Sequence, residues 1–570
     1  MTEILLSIVR AVFVVMFGMN VAVIMTWVDR RQGAMIQDRV GPDRAVIWLP
    51  TSVARPLAVL PALAAALGVM ALAFVDKQSR GEAPVSMGRA ILFSQLAVFM
   101  TWATLAAMVA HVQRRGPESA LDRAIASLGQ ARQLCVIGVC TQLGLLLAMS
   151  LISQSRLGDL IAGAAYGGGV LLLAAAMLAG AAFAALNMKG ERVGLRLLGL
   201  LHPAADGLKT AFKEDIIPLG VDRVMYGLAP WLAFFPSLVV LAVIPFGDTL
   251  CFGTTPQGGI DITTLFASVP ADGVCTAGAL KLQVADLNVG ILYFFAVAGT
   301  GIVGAALAGW ASDNKYSLLG GLRAASQMVS YEVTLGLTLV GAMMLYGTVQ
   351  VDDMIRWQRD NTWGIFAQPL AFVLFLTAAV AESKRIPFDI PEGESELVAG
   401  YFTEYCGMKF AMFMFSEYIA MVSAGAVMAA IFLGGWDLPF LQRDGIHVAI
   451  GDTVLWSQQL AHPLVIALGF LAFVFKVLFM CWLQLSIRWT LPRFRYDQVM
   501  RLGWRVLLPL SIGNVLVTGL LILVADSASE PFQHGLAVAG DITKAVVAAG
   551  GLLALAVLVR FLLSAPQHQR

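Results

Sequence analysis

The chain has 570 residues, of which 58% are hydrophobic and only 13% are charged, and its mean hydropathy is +0.78. Soluble domains carry about 25% charged residues, so this composition excludes a soluble protein and also a disordered one. The 38 basic and 37 acidic residues balance, which leaves no basic surplus for binding nucleic acid. The composition therefore predicts an all-α, polytopic transmembrane protein.

Thirteen apolar runs in the chain are candidates for membrane crossings, because a bilayer core about 30 Å thick needs roughly 20 apolar residues in a helix. They are residues 11–28, 57–75, 90–112, 134–152, 160–186, 224–246, 289–311, 324–345, 369–381, 401–433, 463–485, 506–525 and 542–563. Alternate loops, starting after the first run, carry 24 Lys and Arg residues, and the intervening loops carry eight. The positive-inside rule therefore predicts an outside N-terminus and a cytoplasmic C-terminus.

Six segments in the predicted cytoplasmic loops are too specific for simple connectors. They are residues 29–31 with 37–44 (DRR and QDRVGPDR), 202–209 with 213–215 (HPAADGLK and KED), 308–316 (AGWASDNKY), 325–332 (ASQMVSYE), 381–401 (AESKRIPFDIPEGESELVAGY) and 491–498 (LPRFRYDQ). In this order they closely resemble the H subunit, the quinone-chamber membrane subunit, of respiratory complex I, the proton-pumping NADH–quinone oxidoreductase. The resemblance covers roughly residues 1–44 and 195–526, and it implies membrane helices joined by cytoplasmic amphipathic segments.

The largest departure from this family is an insert of about 150 residues with four predicted crossings. Four is an even number, so the insert returns the chain to the side that it left, and the family topology is kept. The predicted divisions are residues 1–44 (first span and loop of the core), 45–194 (four-span insert), 195–526 (remaining core with seven spans) and 527–570 (extra C-terminal span and tail). The insert either shields the quinone entrance or contacts another protein of the complex, or it is a peripheral appendage packed against lipid.

Smaller departures occur at four places. The family usually has Glu at the position of Asp29, Gln at the position of His202 and Ala at the position of Gly393. It often has Thr-Asn where Ser383 and Lys384 stand here. Lys384 therefore adds a charge at a position that is usually neutral.

Several acids lie inside or beside predicted crossings, where an unpaired charge is costly and often marks an ion path. We expect Glu332 about two turns into its crossing, Glu417 in the middle of its own, and Glu404 near the start of that same helix. Glu404 and Glu417 would then be about 20 Å apart along the axis and about 140° apart around it. From the residues alone, proton transfer and structural hydrogen bonding are both open, and the resemblance favours proton transfer for Glu332 and Glu417.

The loop at residues 382–404 holds six acids against Lys384 and Arg385, and Pro387 and Pro391 prevent it from forming a continuous helix. These acids either relay protons beside a ligand, or cap the following helix, where negative charge is favoured. In the family this loop lies beside the quinone cavity. The resemblance therefore implies a proton relay, for which we predict Glu332, Glu382, Glu392, Glu394, Glu396, Glu404 and Glu417.

The resemblance also implies a quinone chamber, with ubiquinone or menaquinone as substrate. For it we predict Asp29, Arg30, Arg39, Arg44, Asp206, Lys209, Lys384, Arg385 and Asp389. The basic residues among them equally fit topology setting and headgroup binding. The six cysteines and six histidines show no ligand spacing, so we expect no metal, haem or iron–sulfur cluster on this chain. The resemblance implies that flavin and the clusters are bound by partner subunits.

Three glycines and two cysteines have alternative interpretations. Residues 299–304 match G-x-G-x-x-G, but they fall within a predicted crossing, where small residues favour close helix packing over nucleotide binding. Cys251 and Cys275 share one predicted external loop, and in an oxidising compartment they could form a disulfide.

The resemblance implies a protein that is inactive alone and that couples quinone reduction to proton translocation in a bacterial inner membrane. Its expected partners are the lipid bilayer, the cluster-bearing and quinone-site subunits of the peripheral arm, and the adjacent small and antiporter-like membrane subunits. The alternatives are the related membrane subunit of a membrane-bound hydrogenase-type complex and a stand-alone ion transporter. Transporters often contain internal repeats with broken helices, which we do not find in this sequence.

Overall fold

A computed structural model describes residues 2–39, 41–42, 45–80, 87–115, 120–152, 157–188, 191–195, 199–254, 260–261, 278–450, 453–459 and 462–564. Within these ranges the chain is mostly helical, and ten helices are long and apolar enough to cross a membrane. These ten coincide with ten of the thirteen predicted crossings. The prediction of an all-α polytopic membrane protein is confirmed.

The first helix and the insert come first in the chain. Their helices are α1 (Thr2–Ile36), α2 (Thr51–Arg80), α3 (Met87–Arg115), α4 (Ala120–Ser127), α5 (Ala131–Ile152) and α6 (Leu157–Leu186). Helix α6 packs against α2 and α3, and α5 packs against α3. Strands β1 (Ile47–Pro50) and β2 (Arg192–Leu195) pair antiparallel and hold the two ends of the insert side by side.

The remaining helices form the core. They are α7 (Leu201–Ala211), α8 (Arg223–Val239), α9 (Gly290–Ala311), α10 (Lys315–Tyr346), α11 (Val351–Asp360), α12 (Gly364–Ala367), α13 (Pro369–Glu382), α14 (Glu394–Leu397), α15 (Gly407–Phe432), α16 (His462–Thr490), α17 (Tyr496–Arg501), α18 (Leu508–Asp526) and α19 (Glu530–Ser564). A 3-10 turn at Val240–Val243 extends α8, and a π-helical turn at Leu502–Leu507 joins α17 to α18. The other three predicted crossings fall in α5, α13 and α19.

Two small antiparallel sheets lie in loops between core helices. The loop between α8 and α9 contains β3 (Leu250–Thr254), β4 (Ile260–Asp261) and β5 (Gly278–Leu280), in the order β4-β3-β5. The loop between α15 and α16 contains β6 (Leu441–Gln442), β7 (Gly445–Ile450) and β8 (Thr453–Gln459), in chain order. Cys251 is disulfide-bonded, but Cys275 lies outside the described residues, so their pairing stays a prediction.

Local side chains explain where several core helices begin. The Asp222 carboxylate accepts hydrogen bonds from the backbone N–H groups of Val224 and Met225 at the start of α8. The Asn314 side chain accepts one from the backbone N–H of Tyr316 at the start of α10. Both are N-caps, which satisfy backbone donors that have no partner within the helix.

Helix α15 lies at the centre of the core, where it packs against α1, α8, α13 and α16. Close approach elsewhere in the core depends on glycine. A Cβ added at Gly304 in α9 would lie 2.5 Å from the backbone nitrogen of Ala233 in α8. This contact agrees with the helix-packing interpretation of residues 299–304.

One predicted position is wrong. Helix α15 begins at Gly407 instead of residue 401, so Glu404 precedes the helix that carries Glu417. The backbone there passes through positive φ values at Gly400 and Gly407, which end helical continuity. Helix α10 begins at Lys315, before the predicted apolar run at residues 324–345, so Glu332 lies 17 residues inside the helix, and its depth within the crossing stays a prediction.

Candidate functional site

The segment between α13 and α15 carries charged residues that the fold buries. The exposed fraction is 7% for both Lys384 and Arg385 and 4% for Asp389. Removing an ion from water costs several kcal/mol, so buried charges require oppositely charged or hydrogen-bonding partners. Here the partners come from α1, α15, α16 and the segment itself.

Glu417 is the central acid of this cluster, and it is 2% exposed. The Arg385 guanidinium lies 3.3 Å from Oε2 of Glu417. The Tyr401 hydroxyl donates a hydrogen bond of 3.1 Å to the other oxygen, and Lys384 Nζ donates one of 3.1 Å to the same hydroxyl. A carboxylate, a phenol and two cations therefore form one connected network in the protein interior.

Asp29 extends this network to α1. The Arg385 guanidinium lies 4.2 Å from the centre of the Tyr418 ring, and the Tyr418 hydroxyl donates a 2.9 Å hydrogen bond to Asp29. Asp29 also accepts hydrogen bonds from Arg488, at 2.5 Å, and from the indole N–H of Trp489, at 2.8 Å. The contacts thus tie α1, α15 and α16 to the buried segment.

Two further acids of the segment, Asp389 and Glu392, have raised pKa values. Arg493 donates a 2.8 Å hydrogen bond to Asp389, yet burial raises the pKa of Asp389 to about 6. Burial also raises the pKa of Glu392 well above its usual range, and repulsion from Glu417 adds to the rise. Among the described residues, Asp389 Oδ1 and Glu392 Oε1 have no hydrogen-bond donor. Asp389 is therefore suited to exchange protons near neutral pH, and Glu392 holds a proton more readily than an exposed glutamate does.

An internal cavity of about 70 Å³ lies beside Glu417, between α8, α9, α10, α13 and α15. Its polar lining includes Glu382, Lys384, Ser416 and Ser423. A space of this size holds a few water molecules, which would carry protons between side chains that do not touch.

Glu332 projects from α10 towards α9. Its Oε1 atom is 2.7 Å from the position that a Cβ would occupy at Gly299, so the glycine provides the space for the carboxylate. The charges of Glu332 and Glu382 act on each other. Glu332 is thereby linked electrostatically to an acid that lines the internal cavity.

A surface groove of about 450 Å³ lies between α1, α7 and α15. Its apolar lining includes Phe410, Met414 and Phe415, and Lys209 of α7 also lines it. At its edge Arg30 and Asp206 form an ion pair of 2.6 Å, with both side chains about half exposed. We define these surfaces together as the α1–α7–α15 groove.

Two acids predicted for the relay lie away from the buried cluster. Glu396 forms a 2.6 Å ion pair with Arg323 of α10, and Glu404 accepts a 2.6 Å hydrogen bond from the Asn314 side chain. The structure thus brings together one part of the predicted set and places another part elsewhere. The residues in the cluster or its cavity are Asp29, Glu382, Lys384, Arg385, Asp389, Glu392 and Glu417.

Three residues of the predicted set remain, namely Arg39, Arg44 and Glu394. Arg39 is exposed just beyond α1. Arg44 lies outside the described residues, and so does the side chain of Glu394, although its backbone starts α14. Their predicted roles remain predictions.

Sequence reasoning missed four residues of the buried cluster. They are Tyr401, Tyr418, Arg488 and Trp489. Tyr418 directly follows Glu417 in the chain, and Arg488 and Trp489 lie just before the segment at residues 491–498 that carries the resemblance, with one residue between. Their proximity to those features was the available signal, but no spacing rule joins α1, α15 and α16.

The fold and the site define a multi-pass helical membrane protein that encloses a titratable cluster and exposes an apolar groove beside it. Within the described residues, no group of three or more His, Cys, Asp or Glu side chains is arranged to hold a metal ion. Comparison with known proteins points to the same class.

The family model described as NADH dehydrogenase matches residues 168–519. H subunit 1 of the NADH-quinone oxidoreductase of Cytophaga hutchinsonii is 39% identical over 57% of this chain and 84% of its own length. H subunit 2 of the Geobacter metallireducens enzyme is 43% identical and the H subunit of the Thermomicrobium roseum enzyme is 45% identical, each over 57% of this chain and 83% of its own length. The chain belongs to the NADH dehydrogenase family and, within it, to the H-subunit type.

Proposed function

We propose that this chain forms the membrane side of the quinone-binding chamber of NADH–quinone oxidoreductase, and that it couples quinone reduction to proton translocation. One observation carries the proposal: three side chains connect the surface groove to the internal cavity. Tyr418 lines the groove, Arg385 packs on its ring and pairs with Glu417, and Glu417 lines the cavity. A charge that appears beside the groove would therefore act, through Arg385, on Glu417 beside the cavity.

The chemistry of the α1–α7–α15 groove suits a quinone. Its apolar side chains Phe410, Met414 and Phe415 match an isoprenoid tail, whereas Arg30 and Asp206 provide a polar edge. Most ligand sites combine an apolar lining with a few polar groups in this way. Ubiquinone and menaquinone share both features, so each fits.

Coupling would follow from electrostatics. Reduction of a quinone to a quinol needs two electrons and two protons, and electrons that arrive first leave negative charge on the ring. In a low-dielectric interior such a charge acts strongly over several ångströms. It would attract Arg385 away from Glu417, and it would favour proton uptake by Asp389 and Glu392, whose pKa values burial already raises.

Other subunits of the complex would supply the electrons and transport the protons. An iron–sulfur cluster on a peripheral-arm subunit would supply the electrons, and the adjacent small and antiporter-like membrane subunits would carry the protons, so we expect this chain to be inactive alone. The proposed location is the bacterial inner membrane, with the N-terminus outside. We keep the division at residues 1–44, 45–194, 195–526 and 527–570, although the family match begins inside α6, at residue 168.

Substituting the two central acids tests the coupling. We expect Glu417→Gln and Glu332→Gln to leave the complex assembled and to lower quinone reductase activity and proton pumping by at least about a hundredfold, as for loss of a proton-transfer group. Both activities are measured in membrane vesicles.

The matched control is Glu191→Gln, which changes an exposed acid in the insert. It should retain full activity in both assays. Full activity in both Glu417→Gln and Glu332→Gln would mean that these acids do not couple the two processes.

A further inference from the structure

Helix α7 forms one wall of the α1–α7–α15 groove, yet few contacts hold its middle. All 11 residues of α7 are described, and none of them is buried. The ion pair between Arg30 and Asp206 joins α1 to α7 at the edge of the groove, but both side chains are about half exposed, and exposed ion pairs contribute little. The position of α7 therefore depends on what holds its ends.

The N-terminal end of α7 is tied to the segment that leads into the insert. The backbone N–H of Ala45 donates a 3.3 Å hydrogen bond to Nε2 of His202. The other ring nitrogen, Nδ1, lies 3.1 Å from the carbonyl oxygen of Gly199, which can only accept. Both ring nitrogens of His202 therefore lie within hydrogen-bond distance of backbone groups at this junction.

Gly199 brings the chain after the insert directly onto the chain before it. Its φ is +88°, and a Cβ added there would lie 2.0 Å from the carbonyl oxygen of Pro42 and 3.3 Å from the indole nitrogen of Trp27. Only glycine fits this conformation and this space. The segment before α7 thus lies against both Pro42 and α1.

The β1–β2 ribbon closes the base of the insert. Its four residue pairs run from Ile47 opposite Leu195 to Pro50 opposite Arg192. Beyond the ribbon, the backbone N–H and the hydroxyl of Thr51 each donate a 3.1 Å hydrogen bond to the carbonyl of Glu191. The chain that enters the insert and the chain that leaves it are therefore hydrogen-bonded to each other before the four long helices of the insert begin.

We propose that the β1–β2 ribbon, Gly199 and His202 form a clamp that holds α7 against α1, sets the width of the groove and so determines how tightly a quinone tail binds. His202 acts as a positioning residue, because it anchors α7 and is not among the residues that line the groove. The insert helices beyond the ribbon are separable from this role. The inference rests on the proposed function, in which a quinone occupies the groove.

The first test is His202→Ala in the intact membrane-embedded complex, assayed with a full-length quinone and with a short-tailed analogue. Loss of one hydrogen bond should raise the KM for the full-length quinone about threefold to tenfold, without a change in kcat. The KM for the analogue should change by less than about twofold. His202→Gln should restore the normal KM, because its amide oxygen can accept from Ala45.

A purely structural role for His202 would lower complex yield and kcat for both quinones alike. That result would overturn the clamp, and so would unchanged KM values for both quinones in His202→Ala. The tail-length dependence therefore separates positioning from general stability.

The second test removes the insert helices and keeps the ribbon. Pro50 and Arg192 are directly opposite one another, so replacing residues 51–191 by Asn-Gly makes a two-residue hairpin. We expect both KM values to stay within about twofold of the parent complex. A rise equal to that of His202→Ala would show that the helices, and not the ribbon, position α7.

A photoreactive quinone separates failure of the clamp from failure of the proposed function. In the parent complex we expect the label on residues of the α1–α7–α15 groove. Labelling elsewhere would remove the quinone from the groove, and with it the proposed function. Labelling in the groove, together with an unchanged KM in His202→Ala, would reject the clamp alone.

Discussion

Helices α15 and α2 are both apolar enough to cross a membrane, but the rest of the protein covers α15 and leaves α2 exposed. In the most apolar stretch of α15, 89% of residues are buried by the rest of the protein, whereas in α2 only 6% are. Yet α2 is the more apolar of the two, with a mean hydropathy of 2.4 against 1.6. Hydropathy thus predicts that each helix crosses the membrane, but it does not indicate which one lies at the protein centre.

The distribution of charge follows this difference in burial. Between Thr51 and Phe74, α2 carries a single charged residue, Arg55, in its first turns. Helix α15 carries Glu417 near its middle, where the acid meets Arg385. A charge at that depth requires protein or water around it, so the buried helix can hold an acid that a lipid-facing helix cannot.

The largest expected effect comes from breaking the buried pair. Arg385→Met leaves the carboxylate of Glu417 without its cation, and we expect a loss of about 3–5 kcal/mol in stability. The measurement is the thermal unfolding of the purified complex. The double variant Arg385→Met/Glu417→Leu should recover stability but not proton pumping.

Arg495→Met is the control for this change. Arg495 pairs with Asp497, and their side chains are 76% and 55% exposed, so its loss should cost less than about 1 kcal/mol. Equal stability losses in the two arginine variants would show that burial of the pair has no special consequence.

A smaller effect is expected where core helices touch. Gly304→Ala in α9 would push against the backbone of α8, and we expect it to destabilise the protein by about 1–3 kcal/mol. Gly168→Ala in α6 has no neighbouring atom within 4 Å of the added Cβ, so it should be neutral or stabilising by up to about 1 kcal/mol. Thermal unfolding of both variants checks the contrast, and a stable Gly304→Ala protein would contradict the close packing of α8 and α9.

The stability of the protein should also depend on pH, because Asp389 is buried. Burial raises the pKa of Asp389 to about 6 in the folded protein, whereas an unfolded aspartate has a pKa of about 3.9. Between these values the folded state binds more protons, so stability falls as the pH rises from about 4 to about 6, and then levels off. Asp389→Asn should flatten this slope in unfolding midpoints measured from pH 4 to 8, and Asp497→Asn, at an exposed site, should not. An unchanged slope in Asp389→Asn would mean that another group causes it.

The apolar runs were sufficient to predict ten of the membrane helices. The charged segment at residues 382–404 was sufficient to locate the buried cluster between α13 and α15. Helix ends were harder to predict. Glu404 lies within the predicted crossing at residues 401–433. It is nevertheless excluded from α15, because the backbone adopts positive φ values at Gly400 and Gly407. Glycine permits such a conformation without requiring it, so the sequence pattern did not reveal the break.

The partners within the site could not be predicted from the chain alone. The acid at position 417 was recognisable by its place within an apolar run. Its link to Asp29 passes through Tyr418 and Arg385, which belong to different elements. Local patterns extend over one helix, whereas this link depends on how three elements pack.

The amino-acid sequence alone specifies that this chain is a helical membrane protein of the H-subunit type, because hydrophobic runs and local motifs are properties of neighbouring residues. It also specifies that acids occur within the apolar runs. The packing of α1, α7, α13, α15 and α16 determines which of those acids share a cation and where a groove opens. Such contacts join residues hundreds of positions apart, and their energies depend on burial that exists only once the helices have assembled.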